Sequence, residues 1–359
     1  METPQPICMV RDARDVRPLR NEERDLVTGF LLCGEGYGDM ICMIPTVEKV
    51  ARQLGRTLDV WTKRPEVFAN IPSLQPRMSD DSALEPYLAK GGLLIVCPVR
   101  FDQSPKWNQA HLAVRPAEGI VQLEDADKVV RLYTTAKDRE TAARLLKPLG
   151  ARPKVVIHPN LNRPVRTWPG DCWRELALGL LERGVGVVAV GRDVPNIADT
   201  EENVPKGVFD LGIEHNRFLD LTGQTSLHEL CEVIAASDVA VTFDSGVLHV
   251  ANCTETPVVA LFSDNDPDFF TRIRNGKPGA GTGAVHRPCP TQFCQTWHGA
   301  WSECIQPGEK KCAACRRWNK CSTRRWASFA TSCDTAWPSA WPKKVGPITS
   351  SFFCASSRS

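Results

Sequence analysis

Three short segments of the sequence place glycines or small residues next to charged side chains, a combination that suits binding of an anionic or sugar ligand. The first is the segment 34–45, GEGYGDMICMIP. The apolar run 26–33 precedes it and apolar residues at helical spacing follow it, which predicts a strand, a glycine turn and a helix. Glycines in such a turn let the backbone approach a ligand closely. Asp39 stands at the helix start, where capping the helix is the alternative to a chemical role.

Two common nucleotide-binding fingerprints do not fit the chain. From Gly34 and Gly36, the third glycine of a dinucleotide-binding turn would fall at Asp39, and no Gly-Lys-Ser/Thr follows to make a P-loop. The stretch 184–189 fits G-x-G-x-x-A, but it lies between a predicted helix and the next strand, the reverse of the dinucleotide fold. We interpret it as a helix end.

The second segment follows the predicted strand 154–157 and contains His158, Asn160, Arg163 and Arg166. It therefore lies at the carboxyl end of a strand, where open α/β sheets bind their ligands. The guanidinium of Arg166 can form two parallel hydrogen bonds to a phosphate. The alternative is an arginine in a solvated loop.

The third segment is 241–249, VTFDSGVLH. A strand, an acid, two small residues and a helix start would present backbone amides and the Ser245 hydroxyl to an anion. His249 lies one turn into that helix and can face the same ligand. The alternative for His249 is a buried histidine whose hydrogen bonds are satisfied within the core.

In order and spacing, these segments resemble glycosyltransferase family 9, the ADP-heptose:lipopolysaccharide heptosyltransferases. The matching pieces are GDMICMIP at 38–45, RTWP at 166–169, and GQTSL at 223–227 leading into DSGVLH at 244–249. The resemblance covers about residues 26–265. It implies an α/β chain of GT-B architecture, in which two Rossmann-like, doubly wound parallel-sheet domains face a cleft. It also implies a nucleotide-sugar donor, ADP-heptose, in the second domain and an acceptor against the first.

The resemblance also assigns roles to residues. The family's catalytic aspartate falls on Asp39, and Gly36 and Gly38 belong to its acceptor-side loop. The lysine that contacts phosphate in many members falls on Arg166. The pyrophosphate-holding segment falls on Asp244, Ser245, Gly246 and His249.

An inverting transfer needs a base to take the proton of the acceptor hydroxyl, and Asp39 is the candidate. Arg166, His249 and the backbone donors at Ser245 and Gly246 would stabilise the departing diphosphate. No DxD-type motif lies by these residues, so no cofactor is expected for catalysis.

Alternating strands and helices predict parallel sheets covered on both faces. Pro45 is expected in the first turn of its helix or at a kink. We place a domain boundary near Gly150. The predicted organisation is a charged N-terminal extension (1–24), an acceptor domain (25–150), a donor domain (151–288), a cysteine-rich segment (289–321) and a disordered or anomalous tail (322–359).

The C-terminal residues differ in composition from the rest. Eight of the fifteen cysteines lie in 289–359, and the spacing Cys289-x4-Cys294 with Cys312-x2-Cys315 approximates a structural zinc or iron site. The alternative is unligated thiols. Residues 310–359 carry ten Lys/Arg and one acid. Such a basic, Trp-rich tail can bind single-stranded nucleic acid, but we favour an unstructured or out-of-frame end, and no nucleic-acid partner is expected.

A chain of 359 residues is longer than a single hydrophobic core usually supports, so two domains are expected. No uninterrupted apolar run reaches about 18 residues, and residues 1–24 lack the apolar core of a secretory signal, so a cytoplasmic location is expected. The expected partners are the donor and a lipopolysaccharide core, other glycan or protein acceptor, with peripheral contact to the inner membrane face through a lipid-linked acceptor. The alternatives are another GT-B sugar-nucleotide enzyme such as an epimerase, or a non-catalytic, metal-stabilised sugar-binding scaffold.

Overall fold

A computed structural model describes residues 8–34, 36–98, 111, 113–161, 168, 170–191, 207–262 and 267–286. The chain divides into two compact units. The first unit is Met1–Thr135 with Asp268–Ala280, and the second is Ala136–Pro267 with Gly281–Ser359.

The first unit is an α/β unit around one six-stranded sheet. Strands β6, β3, β4 and β5 are parallel neighbours in that order, and β1 and β2 extend the sheet beyond β6 in antiparallel pairing. Its elements are β1 Met9–Arg11, β2 Val16–Pro18, β3 Gly29–Cys33, α1 Tyr37–Leu54, β4 Leu58–Thr62, β5 Leu74–Met78, α2 Asp81–Ala89 and β6 Leu94–Pro98, with 3-10 helices at Asn21–Leu26, Pro65–Phe68 and Arg115–Ala117.

The core of the first unit forms where α1 lies on the sheet. Phe30 of β3 and Met40, Ile41 and Ile44 of α1 are almost completely buried. Pro45 lies inside α1, well beyond its first turn, so a position in the first turn is wrong and a kink at this proline stays a prediction. Packing of the apolar face outweighs the hydrogen bond that the proline cannot make.

Residues 8–24, predicted above to belong to a charged extension, contribute β1, β2 and the first part of the 3-10 helix Asn21–Leu26 to the first unit. Strands of three residues are too short to show an alternating apolar pattern. Their charges pair with one another: the Arg17 guanidinium donates to both Asp12 and Glu23. The structure therefore has a sheet edge in part of the segment that the sequence pattern indicates as a charged extension.

The second unit contains a six-stranded sheet in which all strands are parallel, in the order β11-β9-β7-β12-β13-β14. The small antiparallel pair β8–β10 lies beside it. The elements are α3 Ala136–Leu146, β7 Lys154–Ile157, β8 Asn160–Leu161, α4 Gly170–Glu182, β9 Gly186–Ala189, β10 Gly207–Val208, β11 Phe218–Asp220, α5 Leu227–Ala235, β12 Val239–Phe243, α6 Gly246–Asn252, β13 Val258–Phe262 and β14 Thr282–His286, with 3-10 helices at Lys147–Leu149 and Pro267–Phe269.

Buried apolar strands and an amphipathic α4 build the core of the second unit. Trp173 of α4 and Trp168 pack edge to face, with ring centroids 4.7 Å apart, and both indoles are buried. Gly184, with φ +81°, follows the end of α4, as the sequence indicates. Ser226 and Glu229 form the predicted capping box of α5. The expected α/β fold with parallel sheets is confirmed.

The two units divide at Thr135, earlier than the boundary that the sequence suggests near Gly150. The reason is that α3 packs against α5 of the second unit and buries Ala142 and Leu146. The segment Asp268–Ala280 returns to the first unit, where the carbonyl of Thr271 lies 2.6 Å from His111 Nε2. Neither feature has a local sequence signal.

A nearly buried carboxylate, Asp127, joins α1 to the loop that follows the 3-10 helix Arg115–Ala117. Its side chain is 7% exposed and accepts from Lys49 Nζ at 2.7 Å and from Arg52 Nη2 at 2.6 Å. Burial raises the pKa of Asp127, but bonds from Lys49, the Glu124 amide and Arg52 outweigh burial, so the net pKa lies below its usual value.

Replacing Asp127 with Asn should lower the free energy of unfolding by about 1–3 kcal/mol at pH 7, because two cations lose their acceptor. The matched control is Asp125→Asn, whose side chain is 64% exposed and binds only Lys128 among the ion pairs of the described residues; it should cost less than about 0.5 kcal/mol. Urea unfolding measures both. Because the pKa of Asp127 is lower in the folded protein than in the unfolded chain, its carboxylate stabilises the fold above the unfolded-state pKa. The difference in unfolding free energy between the wild type and Asp127→Asn should therefore shrink as the pH falls below about 4. Equal losses in the two variants would contradict this account.

Candidate active site

In the first unit, Asp39 lies in the first turn of α1, directly after the carboxyl end of β3. The N-cap of α1 is Gly36, so Asp39 does not occupy the cap position that was its structural alternative. The Asp39 carboxylate lies over Gly36: a Cβ on Gly36 would stand 2.5 Å from Asp39 Oδ2. Glycine at this position therefore leaves the space that the carboxylate occupies.

The start of α1 is fixed by residues that follow β4. The Tyr37 hydroxyl donates to Glu66 Oε1 at 2.7 Å, and the Arg64 guanidinium carbon lies 4.7 Å from the centroid of the Tyr37 ring. Gly38 is buried within the same turn of α1. Sequence reasoning missed Arg64 and Glu66. Both residues directly follow an apolar strand, and that position could have marked them as candidates.

A third missed residue lies in an element that packs on α1. Arg115 opens a 3-10 helix that packs on α1, and only 6% of the residue is exposed. Burial lowers the pKa of Arg115, and electrostatic interactions with Cys42, Asp39 and Glu118 oppose that shift. Residues 100–135 show no apolar periodicity, so the sequence offered no reason to select this arginine.

In the second unit, the predicted residues Asp244, Ser245, Gly246 and His249 lie together where β12 passes into α6. Asp244 is buried, and its amide donates to the carbonyl of Leu261 on β13 at 3.2 Å. Ser245 is the N-cap residue of α6, but its hydroxyl makes no capping hydrogen bond. His249 is buried within α6.

The Ser245 hydroxyl instead faces a buried histidine from the neighbouring strand. His158 follows β7, and its Nδ1 atom lies 3.3 Å from both Ser245 Oγ and Thr242 Oγ1. The imidazole stacks on the Phe243 ring, with centroids 5.0 Å apart and an interplanar angle of 11°. Burial lowers the pKa of His158 to about 3, so the ring is neutral near pH 7. A neutral imidazole can share a hydrogen bond with Ser245 without adding charge.

A third strand end reaches the same imidazole. Gly191 follows β9, and a Cβ there would stand 3.3 Å from His158 Cδ2 and 3.0 Å from Val208 Cγ2. With φ at +150°, this position would also strain other residues. The carboxyl ends of β9, β7 and β12 therefore bring together a glycine, a neutral histidine and the Ser245 hydroxyl.

Several predicted residues lie outside the described residues. They are Arg166 and the four candidate metal ligands Cys289, Cys294, Cys312 and Cys315. Within the part of the chain that the structure describes, no group of three or more His, Cys, Asp or Glu side chains is arranged to hold a metal ion. Over those same residues, no helix is long and apolar enough to cross a membrane.

Comparison with known proteins places the chain in a family. Residues 109–296, more than half of the chain, match the profile of glycosyltransferase family 9 (heptosyltransferase). The chain therefore belongs to glycosyltransferase family 9, and the resemblance that the sequence motifs carry is confirmed.

Named relatives are heptosyltransferases. Lipooligosaccharide heptosyltransferase 2 of Haemophilus influenzae is 26% identical over 174 residues, which cover 46% of this chain and 49% of that protein. Lipopolysaccharide heptosyltransferase 2 of Escherichia coli is 35% identical over 120 residues, 33% of each chain. The chain thus spans about a third to a half of the length of these relatives.

Two solved structures share the fold. The glycosyl transferase family 9 protein of Veillonella parvula aligns with a TM-score of 0.55 at 15% identity, covering 82% of this chain and 95% of that one. Escherichia coli ADP-heptose lps heptosyltransferase II aligns with a TM-score of 0.50 at 19% identity, covering 72% and 89%. At such identities the likeness establishes the fold.

The neutral state of His158 has a measurable consequence. An unfolded histidine has a pKa near 6.5, and the pKa of His158 in the folded protein lies below that value. The contribution of neutral His158 to the stability of the fold is therefore present above pH 6.5 and declines as the pH falls toward about 3. His158 should account for about 2 kcal/mol of the loss between pH 7 and pH 5. Urea unfolding of the wild type and His158→Asn at pH 7 and pH 5 tests this. The variant should lose less stability on acidification, and equal losses would show that His158 is not held neutral.

Proposed function

We propose that this chain is an inverting glycosyltransferase that moves heptose from ADP-heptose to a hydroxyl of a lipopolysaccharide core. Membership of family 9 supports the reaction class, and the names of the relatives support heptose and a lipopolysaccharide acceptor. The name of the Escherichia coli structure includes ADP-heptose as donor. The GT-B architecture is part of the same proposal, with each unit supplying one Rossmann-like sheet.

The observation that carries the proposal is the placement of Asp39. Its carboxylate lies at the carboxyl end of a buried parallel strand, over a glycine that leaves room for it. That position exposes a proton acceptor on the edge of the sheet where α/β proteins bind ligands. An acceptor hydroxyl hydrogen-bonded to this carboxylate would lose its proton as its oxygen attacks.

The reaction is a single displacement. The acceptor oxygen forms a bond to the anomeric carbon, the bond from that carbon to the diphosphate oxygen breaks, and the proton moves to Asp39. Attack from the face opposite the leaving group inverts the anomeric configuration. The transition state has oxocarbenium character, as in glycoside hydrolysis.

The second unit is proposed to receive the donor. The departing diphosphate gains negative charge, which hydrogen-bond donors can stabilise. The Ser245 hydroxyl, oriented by His158, supplies one donor, and His249 and the backbone at Gly246 lie beside it. Arg166 is proposed to add a guanidinium to the same diphosphate. No divalent ion is needed if these groups balance the charge.

The remaining assignments belong to the proposal as well. A structural zinc or iron at Cys289, Cys294, Cys312 and Cys315 stays a prediction that elemental analysis of the purified chain can test. The proposed setting is the cytoplasm, with contact to the inner membrane face only through a lipid-linked acceptor.

Replacing Asp39 with Asn should reduce transfer by about 10²–10⁴ while donor affinity stays within a few-fold, because the amide keeps the size but accepts no proton. Release of ADP from ADP-heptose, with and without a lipopolysaccharide core acceptor, measures the rate. Calorimetry measures donor affinity. The matched control is Asp81→Asn, an exposed acid in the first turn of α2, which should leave the rate unchanged.

Near-normal turnover in Asp39→Asn would remove Asp39 from the mechanism. ADP release that does not require an acceptor would instead point to an epimerase or hydrolase. A chain that binds the donor but never turns it over would be a sugar-binding scaffold.

Replacing Gly36 with Ala tests the space reserved for the carboxylate. The backbone of Gly36, with φ −71° and ψ 129°, accepts alanine, so the fold should persist. The added methyl would stand within 2.5 Å of Asp39 Oδ2 and must displace it. We expect a loss of roughly 10²-fold in turnover, the usual cost of a misplaced catalytic group, with an unchanged melting temperature. Gly55→Ala, at the other end of α1, is a poor control because its φ is +62°. Glu35→Ala, next in sequence to Gly36, is the better control and should retain more activity than Gly36→Ala.

A further inference from the structure

The Ser245 hydroxyl belongs to a small hydrogen-bonded cluster whose other members are buried. Its oxygen lies 3.3 Å from His158 Nδ1 and 3.4 Å from Thr242 Oγ1, and His158 Nδ1 lies 3.3 Å from Thr242 Oγ1. Thr242 is completely buried and His158 is 3% exposed, whereas Ser245 is only partly buried. The cluster therefore runs from the core of the second unit to a hydroxyl at the carboxyl edge of its sheet.

Strand pairing and ring packing hold the imidazole of this cluster in place. The strands β7 and β12 are parallel neighbours with Ile157 opposite Val241, and the His158 amide donates to the Val241 carbonyl at 3.2 Å. One face of the imidazole stacks on Phe243, and a Cβ at Gly191 would stand 3.5 Å from Nε2. An imidazole confined in this way keeps Nδ1 directed at the two hydroxyl oxygens.

The directions of the hydrogen bonds follow from the protons that each group has. A hydroxyl has one proton and two lone pairs, and a neutral imidazole has one N–H and one lone pair. The Thr242 hydroxyl donates to the Phe243 carbonyl at 3.2 Å, so its oxygen is left to accept from His158. The imidazole proton then belongs on Nδ1, where the Thr242 and Ser245 oxygens share it. The proton of Ser245 is therefore left to donate to another group.

We propose that Thr242 and His158 are positioning residues that direct the Ser245 hydroxyl, which accepts from Nδ1–H of His158 and donates its own proton to a diphosphate oxygen. This inference rests on the proposed function, which puts the donor diphosphate beside Ser245. Within the described residues, the other acceptor for the Ser245 proton is Thr242 Oγ1 at 3.4 Å, the longest contact of the cluster. An ionised diphosphate oxygen is the stronger acceptor.

The position of the imidazole proton tests the inference without any ligand. Nitrogen NMR of protein labelled at histidine distinguishes a protonated ring nitrogen from one with a lone pair, and the signal that disappears in His158→Asn identifies His158. We expect the proton on Nδ1 in the wild-type chain at pH 7. A proton on Nε2 would make Nδ1 an acceptor, reverse the hydrogen bond to Ser245 and overturn the proposal.

Binding of ADP and of adenosine separates a directed hydroxyl from a merely intact fold. Ser245→Ala and His158→Leu should each weaken ADP binding by about tenfold or more, because a hydrogen bond to a charged group is lost. Adenosine has no phosphate, so its affinity should stay within about twofold. His158→Asn keeps an N–H donor and should recover most of the ADP affinity. Calorimetry that finds equal ADP affinities in His158→Asn and His158→Leu, or parallel losses for both ligands, would overturn the proposal.

Thr242 is tested against a second buried threonine of the same unit. Thr242→Val keeps the shape but removes the hydroxyl, and Thr242→Ser keeps the hydroxyl. The matched control is Thr256→Val, since the Thr256 hydroxyl is buried before β13 and donates to the Ile234 carbonyl at 2.7 Å. Both valine variants should melt at lower temperature, but only Thr242→Val should bind ADP several-fold more weakly. Equal ADP affinities in the two valine variants would overturn the role of Thr242.

A double-variant cycle on ADP affinity tests whether His158 acts through Ser245. If it does, Ser245→Ala should cost little further affinity in the His158→Leu background. Losses that simply add would show that the two side chains act independently and would overturn the proposal.

The two proposals fail in different ways. A wild-type chain that binds no ADP contradicts the proposed donor site, whatever the cluster does. ADP binding that Ser245→Ala weakens, together with an additive cycle and a proton on Nε2, keeps the donor site and overturns only the roles of His158 and Thr242.

Discussion

Parallel strand pairing is the constraint on which the candidate sites depend. In a parallel sheet all carboxyl ends lie at one edge, so residues far apart in sequence meet there. In the second unit, pairing of β9, β7 and β12 brings Gly191, His158 and Ser245 together. In the first unit, pairing of β3 with β4 places the start of α1 beside Arg64 and Glu66. Changing the register of one strand would separate these groups.

Each unit buries a polar side chain near its candidate residues, and the two side chains are accommodated in different ways. His158 avoids the cost of a buried charge by staying neutral, with its ring stacked on Phe243. The neutral imidazole can therefore share a hydrogen bond with Ser245 without adding charge. Burial lowers the pKa of Arg115, and electrostatic interactions with Cys42, Asp39 and Glu118 oppose that shift.

Segments distant in sequence complete the first unit. The strand β1 extends its sheet beyond β6, and the segment Asp268–Ala280 returns to contact His111. The turn before the 3-10 helix of Arg115 is therefore contacted by chain that comes between the two segments of the second unit. The first unit consequently depends on residues from separate parts of the sequence.

The sequence by itself determined the parallel α/β class, the family, and the local strand–turn–helix units that carry Asp39 and Ser245. Those features depend on periodicity, glycine turns and caps over a few residues, as the Ser226 capping box shows. Only the tertiary structure decided that α3 belongs to the second unit, that β1 joins a sheet, that the 3-10 helix of Arg115 packs on α1, and that His158 faces Ser245. Such contacts join residues tens of positions apart, and their energy comes from burial and charge pairing across elements. Short stretches of sequence do not show which distant residues will come into contact. The burial of Arg115, which lies in a stretch without apolar periodicity, could therefore not be predicted from the sequence.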